Sequence, residues 1–404
     1  MPSPVVAPPA SAEPAQPVLL RIAPFVLIIV FAYLTVGVPL AALPVLIHGG
    51  LGFGDVAVGV AIGLQSLVTL ATRQFAGSLC DRKGAKFCTL LGGGAAAVAG
   101  AIYLLSVAAP LGAGGALAVL LAGRVVSGVG ESLLMTGALA WGIAAVGAHH
   151  TGKVMVWVGI GMYAAIAAGA PLGVALMSKY AAAGGFAAVS IGVIACAIVA
   201  ATIAAITAPV PPVHGERLPF LQVAAKVARL GAGLALATLG FGAIAAFAVL
   251  DFQAKGWAGA GFVLSGFGVA YILTRVLFGG WPDRFGGARV AAWSLIVESA
   301  GQVLLWLAPV PAAAFAGAIL TGAGFALVFP SFGIEAVKTV PPASRGSALG
   351  AYVAFFDLGF ALAGPLSGFV AGAAGYPPVF AAGAVCSIIA LLATREPAAY
   401  SAAR

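Results

Sequence analysis

The chain has 404 residues, 62% of them hydrophobic and only 7% charged, with a formal net charge of +8 and a mean hydropathy of +1.13. A soluble domain carries about 25% charged residues, so this chain has too little polar surface to cover a globule, and most of its exterior must face lipid. Its basic residues are scattered among apolar segments and form no continuous stripe, which argues against a nucleic-acid partner. The four cysteines and four histidines have neither metal-ligand spacing nor a disulfide pattern.

Residues 1–18 are rich in Pro and Ala, with no Lys or Arg before Arg21. A signal peptide opens on positive charge, so this stretch reads as a disordered tail. Twelve apolar segments follow, each near the roughly 20 residues that cross the hydrocarbon: 22–47, 55–79, 87–109, 115–146, 154–178, 185–207, 228–252, 260–281, 290–309, 313–338, 347–371 and 376–394. They lack the alternation of a membrane barrel, and their glycine content suits helices packed face to face. The predicted class is an all-α membrane protein of twelve helices.

The loops set its orientation. Arg21, Arg82, Lys83, Lys86, Lys153, Arg217, Lys226, Arg229, Arg284, Arg289, Lys338, Arg345, Arg395 and Arg404 fall on the side of the termini, and only Lys179 and Lys255 on the other. Positive loops stay inside, which puts both termini in the cytoplasm. A Pro-rich link at 208–227 divides a first bundle, 19–207, from a second, 228–395, leaving a tail at 396–404.

The halves repeat each other. Arg73, Gly77, Asp81, Arg82 and Gly84 recur without a gap as Arg275, Gly279, Asp283, Arg284 and Gly286, and one extra residue brings Lys86 opposite Arg289. Gly128-x-Gly130 recurs as Gly322-x-Gly324, and Pro171-Leu172 as Pro365-Leu366. Two parallel six-helix repeats with a binding site between them near the midplane is a transporter arrangement.

The stretch Gly77–Lys86, G-S-L-C-D-R-K-G-A-K, resembles the signature loop between helices two and three of the major facilitator superfamily. Leu121–Gly130, L-A-G-R-V-V-S-G-V-G, resembles its helix-four motif, with Ser127 where Gln is common. The resemblance covers about 20 to 395. It is closest to the bacterial arabinose-efflux-like (YhhS-type) permeases, through Ala170–Gly173, Ala323–Pro330 and Phe356–Leu358. It implies a monomer in the bacterial inner membrane. It also implies that the loop Asp81, Arg82 and Lys86, with its copy Asp283, Arg284 and Arg289, latches the cytoplasmic side shut, against the plainer reading of a static topology anchor. Arg124 it implicates in proton coupling.

Six charges inside the segments carry the remaining chemistry, since an intramembrane charge is costly and marks a partner or a pathway. Arg73 and Arg275 stand eight residues before the repeated aspartates, about 12 Å deeper at 1.5 Å per residue. They either grip an anionic substrate together or pair with acids in an inner gate. Arg124 and Glu131 share one face of segment four and can line one polar track, with Glu131 a further candidate for proton coupling; Arg124 alternatively answers Asp81. Glu298 and Asp357 lie mid-segment with no base near in sequence. Both are candidate proton carriers, although Glu298 alternatively serves as a protonated packing donor. Tyr33, Tyr163 and Phe356 are the aromatic residues expected to line the cavity, because the resemblance puts helices one, five and eleven around it. His48 and Asp251, at matching outer ends, suggest an outer rim, and Glu335 should pair with Lys338.

No nucleophile elbow, phosphate-binding loop or zinc motif occurs, so neither an enzyme nor a cofactor is expected. The reading is a secondary transporter whose partners are a small molecule, protons and the bilayer. Proton-coupled export of a small organic molecule or drug is preferred, with proton-coupled import of an organic anion as the alternative.

Overall fold

The computed structural model describes residues 18–147, 151–180, 184–210, 220–340 and 345–395. The tails expected before Val18 and after Arg395, and the centre of the link between bundles, lie outside them. The described residues form long helices and contain no strand. The first half holds α1 (Val18–Pro44, continued as a π-helix to Gly50), α2 (Asp55–Lys83), α3 (Ala85–Ala108), α4 (Gly112–Val146), α5 (Thr151–Lys179) and α6 (Gly185–Ile206). The second holds α7 (Phe220–Ala254), α8 (Val263–Phe278), a single-turn α9 (Trp281–Phe285), α10 (Gly287–Trp306), α11 (Pro311–Lys338), α12 (Arg345–Ala374) and α13 (Pro377–Ala390).

Eleven of these helices, with their continuations, are apolar and long enough to cross a membrane on composition alone. The remaining long one, α10, has 20 residues, about 30 Å at the helical rise. Its hydropathy is lowered by Arg289, Ser294, Glu298, Ser299 and Gln302, of which all but Arg289 are buried against neighbouring helices. Twelve spans therefore stand, with α9 a turn at the end of the eighth. Segment seven begins earlier than the sequence suggests, at Phe220.

Packing repeats as the sequence does. In the first half α1 packs on α5 and α6, α3 on α4 and α6, and α2 on α4; in the second, α7 packs on α12 and α13, α10 on α11 and α13, and α8 on α11. Between halves α2 lies along α12 and α5 along α8, which are the same contact seen from each side. The repeated glycines Gly84 and Gly286 each hold φ near +89° between the second and third spans of their half. A side chain rarely tolerates that backbone region, which explains a glycine at the same point of both repeats.

The seam between halves is tightest at the face where α1 ends and α2 begins, called the far face here. A Cβ on Gly59 would come within 2.1 Å of the Gly364 carbonyl oxygen, and one on Gly368 within 2.6 Å of the Asp55 carbonyl oxygen. On the second seam a Cβ on Gly268 would lie 3.0 Å from the Tyr163 carbonyl oxygen, and Ser265 Oγ donates to Ala167 O at 2.6 Å. Toward the termini face four glycines stand in open space: Gly77, Gly84, Gly280 and Gly286 have nothing within 4 Å of a Cβ. A polar bridge adds to the far-face closure. The Tyr376 hydroxyl donates to Asp55 Oδ1 at 3.3 Å, and His48 Nδ1 lies 3.5 Å from the same oxygen. Burial and the Asp55 carboxylate push the Tyr376 hydroxyl up to about 12, so it remains a donor at neutral pH. His48 thus meets Asp55, whereas Asp251 pairs with Lys255 at 2.9 Å in its own half; the two do not form a common rim.

This asymmetry gives opposite signs for two equivalent substitutions. Gly59→Ala forces two backbones apart and should lower stability by about 1–3 kcal/mol. Gly77→Ala, in open space on the same helix, should gain up to about 1 kcal/mol from helix propensity. Thermal melting of the two variants in detergent checks both, and equal shifts would mean that the seam is not closed at Gly59.

Candidate functional site

A polar stripe on α2 builds the site. Gln65, Thr69 and Arg73 are spaced by four and so occupy one helical face. Facing them on α4 are Ser127 and Glu131, and from α1 comes Tyr33. Gln65 Nε2 donates to Glu131 Oε2 at 2.7 Å, and Thr69 Oγ1 lies 3.3 Å from the same oxygen. Ser127 Oγ donates to Gln65 Oε1 at 3.1 Å, so the amide absent from position 127 arrives from the neighbouring helix. The Tyr33 hydroxyl lies within electrostatic reach of Glu131, Arg73 and Asp357. Glu131 is therefore held by neutral donors.

One turn further along α2, Arg73 crosses the seam. Its Nε donates to Asp357 Oδ2 at 2.7 Å, and Nη2 lies 2.5 Å from the same oxygen. The partners are 284 residues apart in sequence, on α2 and α12. Their side chains are only 20% and 8% exposed. Of the two readings open for Arg73, the geometry supplies the acid partner. A charge-assisted double contact at these distances is among the stronger polar interactions available to a protein, and water screens it little at this burial.

Arg275, the repeat partner of Arg73, does not reach the seam acid. Its Nη1 donates to the Tyr271 hydroxyl at 2.9 Å and to Ala326 O at 3.2 Å, both within its own half. The guanidinium also lies 6.0 Å from the Phe329 ring centroid. The two arginines accordingly do not converge on a shared anion in this conformation. Above Arg275 stands an aromatic cluster that does bridge the halves: Tyr163 of α5 stacks on Tyr271 of α8 at 3.7 Å and lies 5.7 Å from Phe241. Phe325 joins Phe356 to this group at 6.4 Å.

The other expected residues lie elsewhere. Arg124 is 1% exposed and is satisfied by backbone: Nε donates to Ala61 O at 2.7 Å, Nη2 to Ile62 O at 3.2 Å, and Nη1 to the Tyr103 hydroxyl at 3.5 Å. Residue 81 is some 20 positions further along α2, about 30 Å, so Arg124 does not answer Asp81. Glu298 is fully buried within the second half, away from the seam.

At the termini face, Arg82 bonds to Ser78 in its own helix. Lys86 donates to Ala205 O at 2.7 Å and Thr207 O at 2.8 Å, which places its charge at the negative end of α6. Arg229 plays that part at the end of the second half, bonding to Ala393 O and Arg395 O. Asp283, Arg284 and Arg289 are exposed, with Arg284 over the Phe285 ring. Among the described residues, the partners of Arg82, Lys86 and Arg284 all lie in their own half. Glu335 meets Lys338 at 2.9 Å as its spacing implies, and its Oε1 also accepts from Gly287 N at the start of α10.

Comparison with known proteins agrees with this architecture. The chain matches the Major Facilitator Superfamily over residues 25–259 and 230–403. It is 46% identical over 385 residues to an uncharacterised MFS-type transporter of Pseudomonas aeruginosa, covering 95% of this chain and 94% of that one. It is likewise 46% identical over 355 residues to one from Burkholderia mallei, with 88% and 86% covered. Among solved structures, the nucleoside transporter NupG superposes with a TM-score of 0.74 at 15% identity, covering 93% of this chain and 98% of that one. A D-xylose–proton symporter superposes with 0.75 at 14%, covering 92% and 96%.

If Arg73 and Asp357 form one interaction, removing either should cost about 3–5 kcal/mol by leaving the other charge unpaired. The double variant Arg73→Met/Asp357→Leu should then lose less than the sum of the single losses. A double-mutant cycle by thermal melting measures this, and simple additivity would dismiss the pair.

Proposed function

The chain belongs to the Major Facilitator Superfamily and is a multi-pass secondary transporter; from that premise we propose that it exports a small organic molecule in exchange for protons. The observation that carries the proposal is the Arg73–Asp357 ion pair, a charged contact made across the two halves, deep in the seam. In an alternating-access cycle the halves rock about a central site, and a contact between them is made in one state and altered in the other. With both termini in the cytoplasm of a bacterial inner membrane, the closed far face makes this the inward-facing state. Arg82 and Lys86, which bond within their own half, fit that state.

The chemistry follows from what the pair needs. Asp357 holds Arg73 only while it is ionised, so a proton on Asp357 removes the attraction and frees the guanidinium. A ligand can shift an equilibrium only by its differential affinity for the two states. Proton loading and substrate binding therefore become opposed if both act on this pair. Tyr33 feels both Glu131 and Asp357, and Glu131, held by neutral donors, is a second acid on the same polar track. The proton would pass along Glu131, Tyr33 and Asp357. Tyr163, Phe356 and their aromatic neighbours would present the organic surface, with Arg275 bordering it. We place the protein among efflux permeases of the arabinose-efflux-like kind, acting as a monomer in two bundles, 19–207 and 228–395.

The test uses purified protein in liposomes holding an internal pH dye, challenged with organic anions, cations and neutral sugars under imposed pH gradients. We expect a compound that moves opposite to protons, with exchange abolished in Asp357→Asn. Should protons instead travel with anions alone, and Arg73→Ala remove their binding, anion import replaces export.

A further inference from the structure

Inside the second half, away from the seam, lies a polar cluster that the transport cycle above does not use. Glu298 and Gln302 stand four apart on α10, hence on one face, and both are 0% exposed. Ser387 Oγ of α13 donates to Glu298 Oε1 at 3.0 Å. Gln302 Nε2 donates to Gly240 O of α7 at 3.0 Å. That leaves two buried oxygens without a partner, Glu298 Oε2 and Gln302 Oε1. Both are acceptors. An ionised carboxylate here would have no cation beside it, since the groups acting on it are Ser387 and, through space, Tyr163 of α5 and Cys386 of α13.

We propose that Glu298 holds a resident proton on Oε2, donated to Gln302 Oε1, and that this one proton completes the polar network joining α7, α10 and α13. A single hydrogen satisfies both orphan oxygens and removes a buried charge, each otherwise costly in a low-dielectric interior. The packing leaves no room for a larger ligand: a Cβ on Gly240 would lie 3.1 Å from Glu298 Oε1, and one on Gly383 2.7 Å from Gln302 Oε1. The groove on the outer side of α10 is lined by Ile296, Val303, Leu304, Ile388 and Leu391, and its one hydroxyl, Ser299, is taken up by Ala384 O at 3.3 Å. The proton is therefore retained through the cycle rather than carried.

The first half argues that the fold does not require these groups. Gly324 approaches Glu298 N as Gly130 approaches Ala96 N, so Ala96 occupies the place of Glu298. Four residues on, Gly100 packs against Val193 and Ile194 where Gln302 meets α13. The same helix crossing is apolar in one half and proton-bearing in the other.

Infrared spectroscopy of the full chain in liposomes tests this. A protonated-carboxyl carbonyl band should persist at about pH 8, within the range where buried glutamates are known to stay neutral. It should vanish in Glu298→Gln and shift upward in Ser387→Ala, which removes the donor to its carbonyl oxygen. Glu298→Gln supplies an N–H in place of the O–H, so it should melt with the native protein and keep proton-coupled flux. Glu298→Ala should lose stability. A carboxylate band at neutral pH, or a Glu298→Gln variant that is folded but uncoupled, overturns the resident proton. So does failure of that variant to fold while the Ser387→Ala band stays unshifted.

Discussion

Within the hydrocarbon an ionised side chain has no water to turn to, and each arginine buried inside the described helices is placed by the partner it finds. Arg124 takes two backbone carbonyls of α2, and Arg275 takes a tyrosine hydroxyl and a carbonyl of α11. Both solutions lie inside one half, so rigid-body movement leaves them intact. Arg73 differs, because its partner sits on the opposite half. Among the described residues it is the one ion pair that joins the halves, and it is the one whose energy must change when they move. A costly buried pair is weak evidence of stability; its position across a moving seam gives it another use.

The seam sets how far such movement can go. Where α2 meets α12, glycine against glycine lets two backbones touch, a contact that any side chain would prop open. Helices in lipid gain no hydrophobic drive to associate, so close backbone approach and interhelical hydrogen bonds must serve instead. The far-face bridge of Tyr376, Asp55 and His48 adds the polar part of that closure. At the termini face the same helices carry glycines with open space beside them, and Arg82, Lys86 and Arg229 bond within their own half. Lys86 meets α6 because exposed carbonyls at a helix C-terminus attract a cation wherever one is in reach.

Much of this was legible in the sequence. Segment length and hydropathy located the spans, and the repeated Arg–Gly–Asp-Arg–Gly pattern gave the duplication that the packing repeats. The intramembrane charges Arg73 and Asp357 stood out singly, but their pairing did not. It depends on α2 and α12 lying side by side, a tertiary relation that local periodicity does not encode. Gln65 and Thr69 were missed although the signal was present: with Arg73 they form an i, i+4, i+8 polar stripe on an otherwise apolar helix. Arg124 was open to pairing with Asp81 because sequence spacing says nothing about depth on a neighbouring helix. Once α2 and α4 are laid together, Arg124 falls opposite Ala61 and Ile62.

Duplication explains why the two halves share a scaffold, and the side chains explain why they do not share a task. Arg73 and Arg275 hold equivalent positions, yet one crosses the seam and the other is absorbed by aromatic residues of its own half. Ala96 and Glu298 hold equivalent positions, yet one is packing and the other carries a polar network. Equivalent backbone crossings thus tolerate either an apolar or a fully satisfied polar filling, because what the bilayer forbids is an unsatisfied one. A symmetric pair of bundles is therefore filled asymmetrically: the first half contributes Tyr33 and Glu131 to the polar stripe, and the second contributes Asp357 and most of the aromatic cluster.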